Sequence, residues 1–141
     1  AALQGREHMT TIPSTKIAAK AAYDMAGITA KDVDFAEVHD CFTIAEVVDT
    51  EDLGFFGKGQ GIQAIREDRT KLNSDISINP SGGLKSKGHP IGATGVGQVA
   101  EVFDQLTGKA GARTVKDAKI GLTHNFGATG ASCAVHVFQS V

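Results

Sequence analysis

A chain of 141 residues, 41% apolar and 21% charged, has room for one domain with a proper core, and we read residues 1–141 as that domain. A net charge of −2, no basic run and only 6% aromatic residues predict no nucleic-acid partner. Two cysteines without paired spacing argue against a disulfide framework, and no stretch has the length of a bilayer span or the pattern of a signal peptide, so a cytoplasmic protein with no membrane partner is expected.

Residues 1–12 show no periodicity. Pro13-Ser14 then opens a helix with Ser14 as its N-cap, Ile17, Ala18, Ala21, Ala22 and Met25 as an apolar stripe, and Gly27 as its stop. Thr29 to Asp32 resembles a small capping box, and Phe35 to Val38 reads as a strand running up to His39. Phe42 to Leu53 predicts a second helix with Ile44, Val47 and Val48 inward and Glu46, Asp49, Glu51 and Asp52 in water. Residues 57–74 read as loop with a short helix around Gln63 to Arg66, followed by a strand at Ile76 to Ile78 that Asn79-Pro80 stops. A third helix begins near Thr94, carries Val96, Val99, Ala100, Phe103 and Leu106 on one face, and ends at Gly108. Two last strands, Lys119 to His124 and Ala131 to Phe138, flank a tight turn over Asn125 to Gly130. The order αβαβαββ argues for an α/β fold with a mixed, largely parallel sheet and covering helices.

Seventeen glycines exceed the roughly ten that average usage gives a chain of this length. The excess lies between Gly82 and Gly97 and from Gly121 to Gly130, which is where backbone must approach a ligand or turn sharply. Three constellations there and nearby carry chemistry. His39-Asp40-Cys41-Phe42 stands where a strand meets a helix and puts His39 and Cys41 on one face if the strand geometry continues, the alternative being a buried thiol beside a hydrogen-bonded histidine. Gly88-His89-Pro90 presents a histidine from a loop, because Pro90 keeps His89 out of helical conformation; it suits proton transfer near neutrality or, alternatively, caps backbone groups. Asn125-Phe126-Gly127 in the last turn can offer a backbone N–H to an oxyanion, or is an ordinary hairpin. The glycine run lacks the Lys-Ser/Thr of a phosphate loop and the spacing of a dinucleotide site, and His39, Cys41, His89, His124 and His136 lack metal-ligand spacing, so no metal is expected.

Taken in order, His-Asp-Cys-Phe, then Asn-Pro-Ser-Gly-Gly-Leu-Lys-Ser-Lys-Gly-His-Pro-Ile-Gly-Ala-Thr-Gly, then His-Asn-Phe-Gly-Ala-Thr-Gly resemble the C-terminal half of thiolases from about Pro13 to Phe138. Most thiolases carry Asn-Glu-Ala-Phe at the first motif and Cys-x-Gly at the last. Here Cys41 stands in the first and Asn125 replaces the cysteine of the second, as in the sterol-carrier-protein-type and archaeal branch. The resemblance implies the C-terminal half of the thiolase fold, a mixed sheet of about four strands covered by helices. It further implies an acyltransferase carrying out Claisen condensation or thiolysis of 3-ketoacyl-CoA, with coenzyme A thioesters as substrates and no bound cofactor.

In that chemistry His89 takes the proton of a nucleophilic cysteine, Cys41 shuttles the α-proton, His39 and His89 hold the thioester oxygen, and Gly127 N–H serves the tetrahedral intermediate. Asn125, Phe126 and Gly88 are expected at the substrate. The nucleophile belongs to a thiolase N-terminal half, the expected partner, and the complete protein is expected to be a homo-oligomer. The strand that begins each thiolase half is also expected to be absent, leaving a sheet edge open, and the chain alone is expected to be inactive. Two other readings keep the fold: an acyl-CoA- or lipid-binding scaffold, and a component of a thiolase-like aldolase.

Overall fold

Proline at the first helical position costs α1 nothing, because the N–H it lacks has no partner inside a helix anyway. That helix, Pro13–Ala26, opens a computed structural model that describes residues 6–127 and 129–140. After it come β1 (Phe35–Glu37), α2 (Thr43–Asp52), α3 (Gly61–Arg66), β2 (Ser77–Ile78), α4 (Gly83–Lys87), α5 (Thr94–Leu106), β3 (Ile120–Gly127) and β4 (Ser132–Gln139). The sheet order is β2-β1-β3-β4. β1 runs parallel to β2 and β3, and β4 is antiparallel to β3 from Ile120↔Gln139 to Gly127↔Ser132. The fold is thus the mixed four-stranded sheet with covering helices that the sequence leads one to expect. Among the described residues nothing pairs with the outer edges of β2 and β4.

Strand alternation divides the core between two faces. Ala36, Val38 and Leu122 pack with Ala19, Leu53, Phe56 and Ala64 on the side of α1, α2 and α3. Phe35, Val102 and Val115 pack with Leu106 and Phe138 on the side of α5. Both faces of the sheet are therefore covered at β1, which is buried at all three of its residues, while Ser132, Ala134 and His136 of β4 are exposed.

The helices correct the expected inward faces. In α1 the buried residues are Thr15 and Ala19, with Tyr23 packed on the core below them, while Ile17 and Met25 face out. Ser14 does not cap: Ile12 is the N-cap, its N–H is taken by Asp52 at 2.6 Å, and Ser14 donates instead to the Gly130 carbonyl. In α2, Asp49 and Asp52, expected in water, are buried, and Ile44 is exposed. In α5, Thr94, Gln98, Glu101, Val102 and Gln105 face the sheet, and Val96, Val99 and Phe103 face away from it. The inward polar groups are satisfied: Gln98 donates to the His124 carbonyl, Gln105 donates to Arg113 O and accepts from Val115 N, and Glu101 pairs with Arg113. With its polar stripe fixed to the sheet, α5 leaves its apolar stripe without a partner among the described residues, a surface of the kind that marks an interaction site.

Two further boundaries move. The glycine-rich stretch holds a short helix, α4, that local pattern does not announce. Asn125, Phe126 and Gly127 belong to β3 rather than to the turn, each opposite a β4 residue, because the ladder continues three residues further before Gly130 N–H closes on Gly127 O. The capping box at Thr29 and Asp32 is present as expected and holds a 3-10 turn.

Candidate active site

β1 ends at Glu37, and the next residues are held by contacts far along the chain. Val38 N–H donates to Asn79 Oδ1 at 2.8 Å, and the Asp40 carboxylate accepts from Leu84 N at 2.7 Å and Lys85 N at 3.3 Å, in the first turn of α4. Asp40 is spent as a cap, so His39 and Cys41 are left to the other side. The cap needs Gly83 twice over: its φ is +63°, and a Cβ there would run into the Asp40 carboxylate. Gly83→Ala is expected to cost about 1–3 kcal/mol and to lower the melting temperature, an outcome that an unchanged melting curve would contradict.

His39, Cys41, His89, Asn125, Phe126 and Gly127 all line one cleft of about 950 Å³. The ring of His39 lies 4.9 Å from that of His89, nearly perpendicular to it, and 4.6 Å from that of Phe126. Of the seven residues singled out in the sequence, only Gly88 stays outside. It ends α4 at φ +84°, returns its N–H to Leu84 O, and borders a separate hollow. The two lysines of α4 are engaged away from the cleft, Lys85 with the Cys41 carbonyl and Lys87 with buried Glu37.

A residue that sequence reading passed over fixes the chemistry of His89. Thr94 Oγ1 lies 2.7 Å from His89 Nδ1 and 3.3 Å from Pro90 O; in the tautomer with the ring proton on Nδ1 both contacts are hydrogen bonds and Nε2 is the acceptor. The only sequence signal for Thr94 is its place at the start of α5, five residues beyond the histidine. Burial, and after it His89, hold the His39 imidazole below its ordinary value, against smaller opposing effects of Asp40 and Asn125. His39 is therefore a neutral ring, able to donate one hydrogen bond at neutral pH. Burial raises the Cys41 thiol above its usual value, and backbone N–H groups at Phe42 and Cys41 oppose it. Burial pushes Cys133 up to about 11. Both sulfurs are thus thiols at neutral pH, suited to holding a proton rather than to attacking a carbonyl.

The cleft lining also includes the apolar residues Ile91, Val96, Val99 and Ala134, and His136 beside Thr123. Among the described residues no three His, Cys, Asp or Glu side chains gather to hold a metal ion, and no helix is long and apolar enough to cross a membrane.

The family profile described as Thiolase C-terminal domain-like matches residues 1–140. An acetyl-CoA acetyltransferase of Methanothermobacter thermautotrophicus is 52% identical over 138 residues, which is 98% of this chain and 36% of that protein. Human sterol carrier protein 2 is 45% identical over 123 residues, 87% of this chain and 22% of that protein. Among solved structures the Ltp2-ChsH2(DUF35) aldolase superposes with a TM-score of 0.79 over 96% of this chain and 34% of its own, at 20% identity, a likeness of fold alone. The chain therefore spans about a third or less of the length of these relatives.

Proposed function

Since the chain belongs to the thiolase C-terminal domain-like family, we propose that it supplies the proton-transfer side of an acetyl-CoA acetyltransferase active site whose nucleophilic cysteine comes from a thiolase N-terminal half. The observation that carries this reading is the convergence of His89, Cys41, His39 and Asn125 on one cleft, with His89 Nε2 free and both sulfurs protonated. The 52% identity to an acetyl-CoA acetyltransferase supports the substrate class, coenzyme A thioesters, and no bound cofactor enters the scheme.

In thiolysis the steps are these. The nucleophilic thiol gives its proton to His89 Nε2, and its sulfur attacks the C3 carbonyl of acetoacetyl-CoA, the oxyanion being met by Gly127 N–H. The C2–C3 bond breaks, and its electron pair passes into the thioester as an enolate, whose oxygen takes hydrogen bonds from His39 and from His89, now protonated. Cys41 gives its proton to C2 and acetyl-CoA leaves. As the sulfur of an incoming CoA thiol takes the acetyl group from the acyl-enzyme, its proton and the one held by His89 go to the Cys41 thiolate and to the released cysteine sulfur, which restores the starting site. Condensation runs the same steps backwards.

The test joins this chain to the N-terminal portion of the Methanothermobacter relative. Cleavage of acetoacetyl-CoA by the joined protein is expected. Binding of acyl-CoA without cleavage, unchanged in Cys41→Ala, is the result that favours the binding-scaffold reading instead.

A further inference from the structure

Beneath the cleft lies a buried polar group that the mechanism does not use. Asp49 on α2 and His124 on β3 are both fully buried, with Asp49 Oδ2 3.6 Å from His124 Nδ1, a few tenths beyond hydrogen-bond length. Neither Asp49 oxygen nor His124 Nδ1 has any other partner among the described residues. On its other side, His124 Nε2 meets Thr15 Oγ1 at 2.9 Å, and Thr15 Oγ1 meets Cys133 Sγ at 3.8 Å. Directly above, Cys41, Val48 and Cys133 pack on Ala45 and Phe126, and the Phe126 ring links His124, 5.8 Å away, to His39.

We infer that Asp49 and His124 are positioning residues for Cys41: a sealed acid–imidazole pair sharing one proton, which ties α2 to β3 and presents no net charge to the thiol above it. A bare carboxylate cannot stay here unpaired, since taking it out of water costs several kcal/mol. The charged and titratable groups that face the pair make this plain. Asp52 and Glu46 on α2 and Asp40 before it all work against a further negative charge, and His39 works against a positive one on His124. Lys58, the cation on this side, is committed to Asp52 and Glu51. Thr15 and Cys133 bring no charge. With the proton on Asp49, three hydrogens in line each face an acceptor: Asp49 O–H to Nδ1, Nε2–H to Thr15 Oγ1, and Thr15 O–H to Cys133 Sγ. Burial acts on both groups in that sense, raising the Asp49 carboxyl well above its ordinary value and lowering His124 to about 3.

The inference rests on the reading of Cys41 as the proton carrier, but its test does not need turnover, so the two can fail separately. In the 15N-histidine-labelled chain, the His124 ring nitrogens are expected to report a neutral ring protonated at Nε2 from about pH 5 to about pH 9. The rate of Cys41 alkylation by iodoacetamide, followed against pH by peptide mass spectrometry, reads the thiol directly. Asp49→Asn keeps a donor facing Nδ1 without charge and is expected to leave that profile within about twofold of the parent. Asp49→Leu removes the donor, loosens the seam and is expected to raise Cys41 alkylation about fivefold or more. An imidazolium at His124 at neutral pH, a shifted Cys41 midpoint in Asp49→Asn, or a parental profile in Asp49→Leu each overturns the inference. Should Asp49→Leu not fold, the nitrogen resonances and Asp49→Asn decide it.

Discussion

Replacing Cys41 with alanine in the joined enzyme will lower acetoacetyl-CoA thiolysis by about 10²–10⁴-fold, while exchange of labelled CoA into acetyl-CoA through the acyl-enzyme continues. The division follows from the site. Exchange needs only a cysteine nucleophile activated by His89, whose Nε2 is left free by the Thr94 contact on Nδ1. Carbon–carbon cleavage needs, in addition, a proton delivered to the α-carbon, and Cys41 is held as a thiol by burial. His89→Ala should therefore lose both reactions, and Cys41→Ala only one. The pH profiles carry the same sign. Because the Cys41 thiol is raised, the proton it must donate is retained until the pH exceeds the ordinary thiol value, so the alkaline limb of thiolysis lies there and not lower. Equal loss of exchange and cleavage in both variants would show that the two residues do not divide the work.

The second large effect concerns the outer face of α5. Val99→Asp and Phe103→Glu should leave the melting temperature of the chain within about 1–2 °C of the parent, since single surface changes rarely exceed 0.5 kcal/mol. The same changes should weaken association with a thiolase N-terminal half by about 100-fold, as expected when charge enters the centre of an apolar contact. Phe103 is 55% exposed and Val96 71% exposed, on a helix whose opposite side is fixed to the sheet by Gln98, Glu101 and Gln105. A single exposed apolar residue means little, but three along one stripe, continuous with the apolar wall of the cleft, form a patch. Met25→Glu on α1, also at an exposed apolar position, is the control and should leave association unchanged. Titration calorimetry of the two halves measures all three; undiminished binding by Phe103→Glu would assign this face to another use.

These two results also mark what could and could not be read from residues in line. The motif around His39 and Cys41 and the one around His89 are local: a strand end, a glycine-rich run and a proline dictate how each histidine is presented, and six of seven proposed site residues reach the same cleft. The extent of β3 was not local, because Asn125 to Gly127 stay in the strand only through pairing with Ser132 to Ala134. Nor was α4, whose first turn is capped by Asp40, forty-four residues earlier. The helix faces were misjudged for a different reason. Both α2 and α5 carry two stripes at helical spacing, one apolar and one polar, and periodicity cannot say which meets the sheet. In α5 the polar stripe wins because backbone groups at His124, Arg113 and Val115 are waiting for it, and the apolar stripe is left for something outside the described residues. In α2 the same holds for Asp52, which satisfies the N–H of Ile12 at the start of α1, and for Asp49 facing His124.

The central proposal is that this polypeptide holds the base and the α-carbon proton carrier of a thiolase active site but not its nucleophile. It is tested most directly by incubating the purified 141-residue chain with labelled acetyl-CoA and, separately, with acetoacetyl-CoA and CoA. The account predicts no acetylated cysteine at Cys41 or Cys133 and no cleavage, since both sulfurs are protonated at neutral pH. A stable acetyl thioester on either residue, or measurable cleavage by the chain alone, would contradict it.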